Sequence, residues 1–408
     1  MKRALQAGCA ALSVALSLLA PSAHAADPQT LNIWANDEQK SITIDMGYEF
    51  AKLHPEIKVQ IRRVGFAALN DETMRAAMSG NGPDIVTIDN PNVAMFAARG
   101  ALVDLSPFLA KSKVIDPKQI YTGPLENATW DHKVYAIPRE VNTLALYYNE
   151  DMFKAAGLDP NKPPQTWDEL YADAKKLTDN SKGIYGLAFS AIGTEEGTFQ
   201  FLPFIQQADA SWNSLNTPGA TRAVQFWQKL IDGKLASPDT LSRTQSEAAA
   251  SFINANAVMD IDGPWELPGI SKGAKFKWRV ALLPVEKAGS PRASALGGLD
   301  HAILKTSKNP ALAFAFLEYM YSQQPRAWNE FGLLPPTKTA VTKDPQWPEA
   351  YKVFTEQMVY ARPRGPNPDW MQISKAIYTA MQQVLTHQAD AATAMKNAQV
   401  EVDKVLKK

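Results

Sequence analysis

The sequence predicts an α/β protein built as two lobes, and three observations predict it. Apolar runs of strand type alternate with runs at helical spacing from Leu31 to beyond His301. The chain has 408 residues, more than the ~250–300 that a single core organises. No Pro/Gly/Ser-rich linker divides it. The two lobes are therefore expected to be joined by several crossings rather than strung in series.

The elements follow in order. Leu31 to Trp34 (LNIW) is a short strand. Lys40 to Leu53 carries Ile44, Met46, Phe50 and Leu53 at helical spacing, and His54-Pro55 stops it. Ile57 to Val64 alternates apolar and polar residues, as a half-buried strand does. Asn70 to Met78 is helical again. Asp84 to Ile88 (DIVTI) is β-branched and suits a buried parallel strand; a short helix from Met95 to Ala98 ends at Gly100. This β-α-β-α-β rhythm implies a doubly wound sheet.

A second set starts after Pro138. Thr143 to Tyr148 is a strand. Thr166-Trp167-Asp168-Glu169 is a capping box that opens a helix to about Leu177. Strands are expected at Gly186–Ser190, Ala257–Ile261, Val280–Leu283 and His301–Leu304. Helices are expected at Phe199–Gln207 and Ala220–Ile231, and Glu247–Asn254 leads on to the strand before Gly263. Asn309-Pro310 caps the helix Ala311–Ser322, and the chain from Met371 onward is mostly amphipathic helix.

The N-terminus reads as a secretory signal peptide. Lys2 and Arg3 precede the apolar run Ala10–Ala20, Pro21-Ser22 breaks it, and Ala23-His24-Ala25 is a cleavage site after Ala25. Export to the periplasm is expected. The one cysteine, Cys9, lies inside this segment, so the mature chain is expected to hold no disulfide, no thiolate nucleophile and no sulfur-bound metal. Lys+Arg and Asp+Glu each number 42. Such a balance offers no basic field for nucleic acid or an anionic membrane.

Catalytic signatures are missing. The sequence has no HExxH, no GxSxG and no Walker loop, and the histidines of the expected mature chain, His54, His132, His301 and His387, form no ligand spacing. Neither metal nor cofactor is expected. Paired acids such as Asp37/Glu38 and Asp260/Asp262 keep a periplasmic carbohydrate-active enzyme open as a rival.

Strand ends instead carry polar and aromatic side chains, where open α/β sheets collect ligands. Trp34, Asn36, Asp37 and Glu38 follow the first strand, Asp89-Asn90 the third, and Arg139 to Asn142 follow Ile137-Pro138. Amides and carboxylates can meet hydroxyls, and aromatic faces can cover the C–H faces of a sugar. Trp34, Trp212, Trp265 and Trp370 sit at element ends or in loops. In DIDGPWEL, Gly263-Pro264 ends a strand and presents Trp265, a position open to either packing or contact.

An ordered series of short motifs then resembles a known family. Gly82-Pro83-Asp84-Ile85-Val86 and Gly100-Ala101-Leu102-Val103-Asp104-Leu105 come first. Lys133 to Pro138, Leu146-Tyr147-Tyr148-Asn149 and Thr166 to Leu170 follow. Ala257-Val258-Met259 with Asp262-Gly263-Pro264-Trp265, then Gly297-Gly298 and Gly332 to Pro335, complete the series. The chain resembles the extracellular solute-binding proteins, family 1, whose sugar-binding members feed ABC importers.

The resemblance implies a periplasmic-binding-protein type II fold: two doubly wound α/β lobes with a hinge and an interlobe ligand cleft. It implies an N-terminal lobe of residues 26–141 and 296–340, and a C-terminal lobe of 142–295 and 341–408. Crossings are implied near Asn142, Pro291–Gly298 and Pro335–Pro345. It implies that Trp265 stacks on a sugar ring. Further implied contacts are Trp34, Asn36, Asp37, Glu38, Phe66, Asp89, Asn90, Arg139, Asn142, Thr198, Phe199, Trp212, Gly297, Gly298, Arg362, Arg364 and Trp370. The implied partners are a small carbohydrate and the permease subunits of an inner-membrane importer, with the binder a monomer.

Asn142 departs from the maltodextrin-binding members, which have a carboxylate there, and Arg362-Pro363-Arg364 is more basic. Two readings of the arginines stay open. Arg139, Arg362 and Arg364 could fork onto a sugar acid, phosphate or sulfonate, or they could pair with acids such as Glu140 and Asp369. A polyol, a glycerophosphodiester or a peptide is the other alternative solute.

Overall fold

The computed structural model describes residues 29–38 and 40–407. The expected signal peptide lies outside the described residues. Two sheets organise the rest. In the first, β1 (Gln29–Asn36), β2 (Ile57–Val64), β3 (Ile85–Asp89), β4 (Ala136–Pro138) and β10 (Leu299–Ile303) take the order β2-β1-β3-β10-β4. In the second, β5 (Ala145–Asn149), β6 (Tyr185–Ala188), β7 (Ala257–Asp262) and β8 (Trp278–Ala281) take the order β8-β5-β7-β6.

The first three strands pair in parallel, as the β-α-β-α-β rhythm predicts. Helices α1 (Ile42–Leu53) and α2 (Phe66–Ser79) make the crossovers. β1 runs on to Asn36, in register with β2 through Asn36↔Val64, so it is longer than LNIW suggests. β3 is buried along its whole length, as a β-branched central strand should be. The sheets are mixed rather than purely parallel. β10 returns from the second lobe and runs antiparallel to both β3 and β4. β5 leaves the first lobe and runs antiparallel to both β7 and β8. A strand supplied from the other lobe does not arrive through a local helical crossover, so the parallel constraint does not bind it.

Three passages join the sheets side by side. Asn142 and Gly297 exchange backbone hydrogen bonds of 3.1 and 2.9 Å, and Val141 N donates to Leu334 O at 2.9 Å. Beyond them, β9 (Ser294–Ala295) pairs with β11 (Ala361–Arg362). The helix Pro310–Ser322 packs on the first sheet through Phe314, Phe316 and Leu317. Asn309 precedes it but makes no side-chain cap. The second lobe keeps the largest aromatic core, including Trp167, Phe204 and Trp227.

Helix starts matter most for the site. α3 (Trp167–Leu177) carries the capping box: Thr166 N donates to Glu169 Oε2 at 3.2 Å, and Glu169 N to Thr166 Oγ1 at 3.3 Å. α4 (Glu195–Gln207) begins a turn earlier than the Phe199 start expected from its apolar residues. Glu195 and Glu196 in its first turn suit the positive end of the helix dipole. α5 spans Pro218–Asp232. α6 (Gln245–Ile253) opens on a second capping box, Thr244 with Glu247. The C-terminal stretch forms two helices, α7 (Trp370–Leu385) and α8 (Ala391–Leu406).

Candidate functional site

The ends of β1 and β3 and the starts of α2, α4 and α6 converge on a cavity of about 470 Å³ between the lobes. Its first wall comes from the first sheet: Asn36, Asp37, Glu38, Phe66 and Asp89. Its second comes from Glu195, Glu196, Phe199, Thr244 to Ser246, Trp265 and Glu266. Asn142, Gly298 and Arg364 line it where the passages run.

Trp265 lies in a single 3-10 turn, Pro264–Glu266, directly after β7. The indole is half-buried and packs against the cores of both lobes. It folds back over Gly263, where a Cβ would lie 1.9 Å from the ring. Only glycine permits that approach, so Gly263 sets the aim of the indole. Tyr147 Oη donates to Gly263 O at 2.8 Å and fixes the turn from below. Phe199 stands 6.3 Å from Trp265, centroid to centroid. Gly298 is also required: its φ is +147°, and a Cβ would meet Glu140 O at 2.4 Å.

Two arginines dominate the electrostatics, and neither has a free fork. Arg139 is buried behind the first wall. Its Nη1 and Nη2 donate to Glu38 at 3.1 and 2.7 Å, and its Nη2 to Glu140 Oε1 at 2.9 Å. Its Nε also contacts Glu140 Oε2. Arg364 is held bidentately by Asp89 at 2.7 and 2.9 Å and donates to Glu195 Oε1 at 2.6 Å. Pairing with acids therefore wins over the anion-fork reading at both positions. Burial works against each guanidinium's charge, but carboxylates this close outweigh it together, and the pKa rises.

The second wall treats its acids differently. Glu196 accepts from Gln245 N at 2.7 Å and Glu266 from Ser246 Oγ at 2.8 Å. Among the described residues no Lys, Arg or His forms an ion pair with either. Burial pushes both carboxyls up, and neighbouring acids raise Glu196 further. Behind them Asp260 and Asp262 are fully buried and do not line the cavity. Both oxygens of Asp260 and Oδ2 of Asp262 lack partners, while Asp262 Oδ1 accepts from Gly263 N at 2.7 Å. Burial, then neighbouring acids, drives both well above the carboxylate range.

The structure gathers Asn36, Asp37, Glu38, Phe66, Asp89, Asn142, Phe199, Trp265, Gly298 and Arg364 around this cavity. The other residues singled out from the sequence stand off it. Trp34 lies within β1, because the strand continues past it, and the Arg62 guanidinium covers its ring at 4.4 Å. Asn90 accepts from Arg364 Nη2 at 3.1 Å and is buried. Arg139 is enclosed by Glu38 and Glu140. Thr198 faces α7, donating to Ser374 O at 3.1 Å. Trp212 packs edge-on against Trp370, and Trp370 is fully buried as the first residue of α7. Gly297 lies against the Asn142 side chain. Arg362 is exposed on β11, where its backbone pairs with Ala295.

Sequence reasoning missed Glu195, Glu196, Glu266, the Thr244–Ser246 turn and Lys40. The capping box at Thr244–Glu247 was a usable signal, since it marks a helix start and helix starts surround the cavity.

Residues 34–327 match the family described as bacterial extracellular solute-binding protein. The chain is 24% identical to the galactooligosaccharide-binding protein of Bacillus subtilis, across 96% of this chain and 94% of that one. It superposes on an ABC transporter solute-binding protein from Thermotoga lettingae, bound with alpha-D-tagatose. The TM-score is 0.83 at 27% identity, over 93% of this chain and 100% of that one. The maltose-bound MalE3 of T. maritima gives 0.82 at 25% identity, over 92% and 99%.

Proposed function

Because the chain belongs to the bacterial extracellular solute-binding protein family, we propose that it is the periplasmic carbohydrate-binding component of an ABC importer. It captures a sugar or sugar derivative between its lobes and delivers it, as a monomer, to the permease subunits in the membrane. The carrying observation is the interlobe cavity, in which Trp265 and Phe199 share a wall with carboxylates and amides. A sugar needs both: an apolar face for its C–H groups and acceptors for its hydroxyls.

The solute makes its full contacts only when both walls meet it, so it shifts the hinge toward the closed form. The domain division at residues 141/142, 295/296 and 340/341 belongs to this reading. Binding without turnover also belongs to it, and the names of the relatives support that. A neutral sugar or polyol fits better than a sugar acid, because Arg139 and Arg364 already carry carboxylates.

A thermal-shift panel tests the proposal. It would include galactooligosaccharide, maltose, D-tagatose, a polyol and a uronic acid. A ligand that binds only the folded chain raises its melting temperature by mass action. At least one neutral member should raise it. Turnover of an oligosaccharide would defeat the reading, and stabilisation by the uronic acid alone would defeat its preference for a neutral solute.

A further inference from the structure

Arg364 has no donor left for a solute. Its Nη1 donates to Asp89 Oδ2 at 2.9 Å and to Glu195 Oε1 at 2.6 Å. Its Nη2 donates to Asp89 Oδ1 at 2.7 Å and to Asn90 Oδ1 at 3.1 Å. Its Nε reaches Leu296 O at 3.4 Å. A guanidinium has five N–H donors, and here five acceptors of the protein take them.

The acceptors come from different parts of the molecule. Asp89 ends β3 of the first sheet, and Glu195 opens α4 of the second lobe. Leu296 lies in the passage between the sheets, and Arg364 itself follows β11. The network continues past Glu195, whose Oε2 accepts from Trp370 Nε1 at 3.0 Å. The guanidinium also lies 4.7 Å from the centroid of the Phe199 ring. Asp89, Glu195 and Phe199 all line the cavity.

We propose that Arg364 is a positioning residue: it holds one cavity carboxylate from each lobe at a set separation, and so sets how far the lobes stand apart. The proposal rests on the reading of the cavity as a solute cleft. Two carboxylates repel at close range, and the guanidinium between them turns that repulsion into a tie. Its planar fork matters as well as its charge. The bidentate grip orients Asp89, whereas a lysine in its place would supply one compact charge with no fork. Arg364 thus acts on a solute only through Asp89, Glu195 and the distance between them.

Small-angle scattering of the ligand-free protein tests this. Arg364→Met is expected to give a larger radius of gyration than wild type at unchanged helical content, and Arg364→Lys an intermediate value. Burying two unpaired acids could prevent Arg364→Met from folding. The combination Asp89→Asn, Arg364→Met and Glu195→Gln removes that hazard and should also be wider than wild type. A folded Arg364→Met, or a folded triple variant, that scatters as wild type does would overturn the proposal. Solute binding is read separately, by the thermal-shift panel on the wild type. A wild type that answers no sugar, with the variants still wider, defeats the carbohydrate reading and keeps the role of Arg364.

Discussion

The two walls of the cavity hold most of their acids by different means: arginines hold Glu38 and Asp89 on one side, and on the other reach only Glu195. On the first-sheet side, Glu38 and Glu140 enclose Arg139, and Asp89 is gripped by Arg364. Apart from the partly buried Glu38, these are buried charges matched by buried charges. On the Trp265 side, Arg364 reaches Glu195 alone; Glu196 and Glu266 lean on a backbone amide and a hydroxyl, Asp260 and Asp262 lie behind them, and among the described residues no base forms an ion pair with these four. The first wall is preorganised by its ion pairs, and burial raises Glu140 even with Arg139 against it. On the second, burial raises Glu196 and Glu266 with no guanidinium beside them to offset it, so each holds its proton to higher pH than a free carboxyl and can then donate as well as accept. A polyhydroxyl solute between them would meet fixed acceptors on one side and adjustable groups on the other.

The largest test breaks the first wall. Arg139→Met leaves Glu38 and Glu140 without their partner. Removing one member of a buried ion cluster costs about 3–5 kcal/mol, readable as a lower midpoint in urea unfolding. A loss below about 1 kcal/mol would show that water reaches these acids, and the contrast between the walls would dissolve.

The next test concerns pH. The folded Asp260 carboxyl sits well above its ordinary value. Its favourable contribution is complete below about pH 4 and is lost as pH rises toward the folded pKa. Asp260→Asn should therefore be more stable than wild type at pH 7 and gain little at pH 4. Each tenfold rise in the carboxyl's proton affinity on folding adds about 1.4 kcal/mol to that difference. Melting temperatures at the two pH values measure it, and equal wild-type-to-variant gaps would refute it.

A smaller effect is expected at the aromatic contact. Trp265→Ala should lose about 1 kcal/mol or more of sugar affinity by calorimetry. Because the indole also packs against both cores, the melting temperature should fall too. A fall in melting temperature with unchanged affinity would make Trp265 a packing residue only. The smallest effect sharpens the second wall. Ser246→Ala removes the hydroxyl that donates to Glu266 at 2.8 Å, worth about 0.5–1.5 kcal/mol. The loss should appear as a small fall in melting temperature, and an unchanged melting temperature would show that the hydroxyl does not hold Glu266.

What the sequence made legible was local. The Thr166–Glu169 capping box needs only its own four residues, and β3 needs only its β-branched run. The Gly263-Pro264-Trp265 turn was likewise visible, because glycine, proline and an indole have few joint uses. The pairing of Arg139 with its neighbour Glu140 was one of the open readings, but that of Arg364 was out of reach, since it and Asp89 lie 275 positions apart and no spacing rule spans that distance. Trp370 looked like a loop residue because it opens a helix; only the packing of Trp212 and the hydrogen bond to Glu195 reveal it as core. The start of α4 escaped because two adjacent glutamates resemble a polar loop until the helix dipole is considered. The mixed strand directions escaped for a related reason. Strand direction depends on which lobe supplies the strand, and that is a property of the whole path.

Gly263 has one more consequence. It brings an indole to the edge of a polar cavity, and Trp265 is the one tryptophan among the described residues that lines it. A solute that displaces water from the ring changes the polarity the excited indole experiences. The chain thereby carries its own optical gauge of occupancy, and titrating the unlabelled protein in a fluorimeter should report filling of the cavity as a change in emission that Trp265→Phe abolishes.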